Sequence, residues 1–169
     1  MKYTSAEANK LLRQLNEQKE RLLNIESRSS TFIASVGEDI EDVRPEYSYE
    51  KVQEQIDMLN HSIRTVKHAI NVFNATQVCS GFDMTIDEML VYIPQLTQQK
   101  EKLEKMASRL PKERDNASFG SHSSLIDYRY ANYNVQSVAD DFRTVSERLS
   151  KAQLALDKVN TEIYFEIEI

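Results

Sequence analysis

The sequence predicts a mainly α protein, a four-helix bundle of long antiparallel helices with a small β element. Three observations predict it. Apolar residues recur at alternating gaps of four and three along several long runs, the seam of helices packed at a shallow angle. The 169 residues include only three Gly and three Pro against 28% charged residues, a balance that suits long helices rather than a turn-rich β fold. The last residues switch to a period of two, which is a strand signature.

Taken in order, Thr4-Ser5-Ala6-Glu7 is a capping box, in which a Thr hydroxyl and a Glu carboxylate each answer the other's backbone N–H. It opens a helix carrying Ala8, Leu11, Leu12, Leu15, Leu22 and Ile25, with an end near Ser27. Thr31 to Val36 is short and rich in β formers and predicts a strand. Gly37 to Tyr47 reads as an acidic connector, and Pro45 holds it apart from the next helix. Ser48 is the expected cap of a second long helix, Tyr49 to Asn74, with its seam at Val52, Ile56, Leu59, Ile63, Val66, Ile70 and Phe73. Such a helix is on the order of 40 Å long.

The turn Val78 to Thr85, with Gly81 as its permissive backbone position, joins that helix to a third. Thr85-Ile86-Asp87-Glu88 is a second capping box, and Ile86, Met89, Ile93, Leu96, Leu103 and Leu110 follow as a seam. Pro94 lies inside this run, lacks an N–H and crowds the Leu90 carbonyl, so a kink or a break is expected there. Lys112 to Ser124 is polar and reads as an exposed loop, and Leu125 to Tyr130 as a strand. Asn134 caps the last helix, whose seam is Val135, Val138, Phe142, Val145, Leu149, Ala152, Leu156 and Val159. Ile163, Phe165, Ile167 and Ile169 fall on one side of the closing strand. The β element is thus expected from segments near 31–36, 125–130 and 162–169.

The length fits a single helical domain, 1–169, large enough to bury a core. A net charge of −6 argues against a general nucleic-acid or anionic-membrane binder. The lone Cys79 excludes an intramolecular disulfide and suits a reducing cytoplasm, the expected location. No apolar run approaches the ~20 residues needed to cross a bilayer. Leu12, Leu23, Tyr92 and Leu154 lie off the main stripes and widen the apolar faces, so the expected partner is a second copy of the chain.

Several stretches resemble the septicolysin-like family, small bacterial helical proteins of unassigned function. They are Ala69-Ile70-Asn71 with Asn74, then Met84-Thr85-Ile86-Asp87-Glu88-Met89-Leu90. Ser124-Leu125-Ile126-Asp127-Tyr128 and Tyr133-Asn134-Val135 follow. The chain departs from that family at Val91-Tyr92-Ile93-Pro94, where an Arg-Asp pair is usual, and at its end, which lacks an Asn-Trp finish. The resemblance implies a helical fold and no particular activity.

No H-E-x-x-H, P-loop or dinucleotide glycine pattern occurs, so no cofactor, metal site or enzymatic reaction is expected. Asp57, His61, Arg64 and His68 share one helix face, but the two imidazoles stand roughly 10 Å apart, too far to share one ion. A solvated face explains them. Asp83, Asp87 and Glu88 sit where a helix N-terminus favours negative charge. The remaining candidate is basic and aromatic: Arg109, Lys112 and Arg114, then Tyr128, Arg129, Tyr130 and Tyr133. Of these, Arg109, Lys112, Arg114, Tyr128 and Arg129 are the expected anion-binding residues, with Arg64 and Lys67 as a second contribution. Arg and Lys hold phosphate or carboxylate, and tyrosines stack on planar rings. Glu113, Asp115 and Asp127 are internal groups that could answer the same charges. The leading expectation is a non-enzymatic helical oligomer acting through its surface. The alternative is binding or sequestration of a small anionic or nucleotide-like ligand. An RNA-binding helical hairpin, by analogy with the arm of seryl-tRNA synthetases, stands third because the chain is acidic.

Overall fold

The computed structural model describes residues 1–114 and 127–168 of a mainly helical protein. The elements run β1 (Lys2–Thr4), α1 (Ser5–Ser29), α2 (Ile40–Val43), α3 (Tyr49–Thr76), β2 (Val78–Cys79), β3 (Met84–Thr85), α4 (Ile86–Ala107), β4 (Lys112–Arg114), β5 (Tyr128–Tyr130), α5 (Val135–Glu162) and β6 (Tyr164–Glu166). The chain forms two compact units. One comprises Met1–Gln77 and Lys158–Ile169, the other Val78–Asp157.

The first unit is the α1–α3 hairpin with the β1–β6 pair. Thr4 caps α1 as its sequence predicts: its Oγ1 accepts from the Glu7 N–H at 3.2 Å while the Thr4 N–H donates to Glu7 Oε2 at 2.9 Å. Ala8, Val66, Ile70 and Ile167 form a buried cluster flanked by Leu11, Leu12, Leu15 and Phe165. Burying such side chains stabilises by about 1.5–3 kcal/mol each. Phe73 stacks on Phe165 at 4.4 Å between ring centroids. Near the far end of α1, Glu26 Oε1 accepts from Tyr47 Oη at 2.8 Å and Gln53 Nε2 at 2.7 Å, tying the start of α3 to the end of α1. Tyr47 is held above its usual pKa, by desolvation first and then by that carboxylate. Ser48 occupies the α3 cap position, but its side chain makes no capping bond and turns instead toward Glu50.

The second unit is the α4–α5 hairpin. Thr85 forms the predicted box, with its N–H donating to Glu88 Oε2 at 2.7 Å and the Glu88 N–H donating to Thr85 Oγ1 at 3.3 Å. Tyr133 Oη donates to the Met106 carbonyl at 2.9 Å, and the Arg148 guanidinium lies 5.4 Å from the Tyr92 ring centroid. As residue numbers rise on one side they fall on the other, so α5 runs antiparallel to α4. Asn134 Oδ1 accepts from the Ser137 N–H at 3.1 Å, the expected cap of α5. Ile86, Met89, Leu96 and Leu103 on α4 are buried, as are Val138, Val145, Leu149 and Ala152 on α5.

Three expectations are corrected and a fourth, at Pro94, is narrowed. Thr31–Val36 forms no strand; β propensity needs a partner ladder to act on, and Ile33 and Val36 lie open to solvent instead. The expected β segments do not share a sheet: three separate antiparallel pairs form, β1–β6, β2–β3 and β4–β5. Lys112–Arg114, expected as loop, is strand β4 opposite β5. No break occurs at Pro94, and α4 continues through it. Leu125, Ile126 and Ile169 lie outside the described residues, so the second and third expected strands are seen only as Tyr128–Tyr130 and Tyr164–Glu166.

Candidate functional site

Of the basic and aromatic residues singled out in the sequence, Lys112, Arg114, Tyr128, Arg129 and Tyr130 lie on the β4–β5 ribbon. Its register pairs Lys112 with Tyr130, Glu113 with Arg129, and Arg114 with Tyr128. Directly opposed residues project from the same face, and successive residues alternate. Lys112, Arg114, Tyr128 and Tyr130 therefore share one face, while Arg129 shares the other with Glu113. The seven expected residues are not gathered on one surface by this ribbon. Arg109 precedes it as an exposed residue whose N–H donates to the Met106 carbonyl at 3.3 Å. Arg64 and Lys67 are exposed on α3, in the other unit, on either side of the buried Val66.

On the first face the Lys112 ammonium lies 4.1 Å from the Tyr128 ring centroid and 5.4 Å from that of Tyr130. A cation over an aromatic ring gains about 0.5–1 kcal/mol at an exposed site. Both tyrosines stay open to solvent, at 48% and 63% exposure. The backbone returns from the ribbon through the Ala131 N–H, which donates to the Pro111 carbonyl at 3.1 Å. Among the described residues this face is a cationic platform, with Lys112 and Arg114 beside the two tyrosines. Tyr130, singled out in the sequence with the other tyrosines but not among the expected anion-binding residues, joins this face. Its signal was the alternation Tyr128-Arg129-Tyr130, which puts both tyrosines on one side of any strand.

The other candidates fall out plainly. Asp57, His61, Arg64 and His68 are exposed on α3, and no group of His, Cys, Asp and Glu suited to a metal ion occurs among the described residues. Cys79 is buried at the end of β2, and desolvation pushes its thiol pKa up, away from the thiolate a nucleophile needs. Gly81, at φ +85°, and Asp83, at φ +51°, let the β2–β3 turn close, with Phe82 6.3 Å from Tyr92 between ring centroids. Asp115 lies outside the described residues.

Open apolar grooves are a second feature. On the α1–α3 hairpin a groove of about 450 Å³ is lined by Gln18, Arg21, Leu22, Gln55, Met58 and Leu59, among others. On α4, Val91 takes part in two hollows, of about 760 and 460 Å³, on either side of it. No helix among the described residues is long and apolar enough to cross a membrane.

No protein-family model matches the sequence, and no curated protein matches it. A solved structure that is similar is the crystal structure of a functionally unknown conserved protein from Corynebacterium diphtheriae. The two align with a TM-score of 0.56 and 13% identity, over 98% of this chain and 100% of the other. At that identity the likeness shows the fold alone.

Proposed function

We propose that this chain is a non-enzymatic helical protein that works by self-assembly. One observation carries the reading: helices whose inner stripe is already buried leave further aliphatic and thioether side chains in solvent. Met58 is 58% exposed, Leu90 50%, Val91 60% and Leu154 71%. Single exposed apolar residues are ordinary, but exposed ones beside open grooves are what an interface offers. The four-helix bundle expected from the sequence, closed within one chain or between chains, belongs to this proposal. Its support is the buried residues on each of α1, α3, α4 and α5. A cytoplasmic location and membership of the septicolysin-like family belong to it as well, supported by the sequence features given above. Light scattering on dilute purified protein is expected to give at least twice the 19.6 kDa chain mass. The chain mass at every concentration would refute self-assembly.

A second reading has its own observation, the Lys112–tyrosine platform. A small anionic or nucleotide-like ligand would set its charge against Lys112 and Arg114 and a planar ring against Tyr128. A ligand that binds only the folded state raises its stability. Nucleotides and inorganic phosphate are therefore expected to raise the melting temperature of the wild type and not of Lys112→Ala. Equal shifts in both proteins, or none in either, would dismiss the platform as a ligand site.

A further inference from the structure

The connector between α1 and α3 is the counterpart of the platform in both charge and polarity. Ile33 and Val36 are fully in solvent, at 94% and 108% exposure, and Ile40 and Val43 follow at 53% and 38%. An aliphatic side chain in water forgoes about 25 cal/mol for each Å² that a partner could cover. Acidic residues accompany them: Glu38, Asp39, Glu41, Asp42 and Glu46, against the single basic Arg44.

The connector is also shaped in advance. Glu38 Oε2 accepts from the Ser35 N–H at 2.8 Å, and Asp39 Oδ1 from the Glu41 N–H at 2.9 Å, which caps α2. Arg44 pairs with Glu41 at 2.8 Å and lies 5.7 Å from the Phe32 ring centroid. Two of its acids are thus spent on holding the backbone and one on Arg44, while Asp42 and Glu46 are exposed. A segment ordered before it binds loses less conformational entropy on docking.

We infer that the connector of one chain docks on the β4–β5 platform of a second copy. Its aliphatic side chains would lie on Tyr128 and Tyr130, with its acidic flank facing Lys112 and Arg114. In a chain of net charge −6, two copies repel one another unless such a local match brings them together. The contact joins different surfaces of the two copies, so it either pairs reciprocally across a two-fold axis or repeats into a ring or an open chain. The inference rests on the self-assembly reading and names its contact.

The test uses two double variants of the full chain. Lys112→Glu with Arg114→Glu spoils the platform, and Ile33→Ser with Val36→Ser spoils the connector without touching a buried residue. Each alone is expected to dissociate at a concentration at least about tenfold above wild type, a change worth ~1.4 kcal/mol. Mixed, they retain one good connector and one good platform between them, and are expected to form a 1:1 pair that grows no further. Raising salt should weaken wild-type assembly, because the matched charges are exposed. Assembly of both variants at wild-type concentrations would overturn this contact and leave self-assembly standing. A wild type that is monomeric throughout would overturn both. Melting curves of the variants show whether each is folded. If the platform variant is unfolded, the Ser variant decides alone, by dissociating early or by assembling as the wild type does.

Discussion

Ile167 shows how much one residue does here. It is 1% exposed in the cluster with Ala8, Val66 and Ile70, and its backbone exchanges hydrogen bonds with Met1, N–H to carbonyl at 2.9 Å and ammonium to carbonyl at 2.8 Å. Ile167→Ala removes that packing and leaves a cavity, at an expected cost of about 2–5 kcal/mol in urea unfolding. A loss below about 1 kcal/mol would mean the cluster collapses around the gap. The capping residues are smaller cases, and they divide instructively. Thr4 and Thr85 cap because a Glu three residues on completes a reciprocal bond within one turn of chain. Ser48 has Glu50 two residues on, and its hydroxyl meets that carboxylate at 3.3 Å instead of the helix N–H groups.

At the scale of elements, helices were legible, and strands only at Tyr128–Tyr130 and Tyr164–Glu166. The seams of α3, α4 and α5 are largely buried as their spacing predicts, except Leu110, which lies past the end of α4 and is exposed. A period close to 3.6 needs only the chain's own hydrogen bonds to be expressed. Pro94 was the one local conflict. Helix α4 runs through it at a solvent-exposed position, and Thr97 Oγ1 bonds to the Ile93 carbonyl at 2.9 Å one turn on. A proline inside a helix still removes one hydrogen bond and crowds the preceding turn. Pro94→Ala is expected to stabilise the fold by about 1–3 kcal/mol, read from chemical denaturation. Destabilisation would show that the ring is held in the hollow it lines with Val91 and Gln95. The short strands away from the closing one are different, because two or three residues are too few to display a period. Lys112-Glu113-Arg114 looks like loop by composition and is strand because Tyr128-Arg129-Tyr130 pairs with it. Thr31–Val36 has the composition of a strand and no ladder to join.

At the scale of the whole molecule, the sequence by itself determined what depends on neighbours along the chain. Long helices, two of their capping boxes, the Asn134 cap, the Gly81 turn and the lone Cys79 all follow from residues within a turn or two of each other. It also marked the basic and aromatic residues of the candidate site by type. Tertiary structure alone decided which distant segments met. It joined Lys2–Thr4 to Tyr164–Glu166, so that the two ends of the chain close over one core. It also set the register that puts Lys112 beneath two tyrosines and sends Arg129 to the opposite face with Glu113. The physical reason is the same in each case. A helix satisfies its backbone within itself, whereas a strand's partner and face are fixed only when a remote segment supplies the other half of its hydrogen bonds.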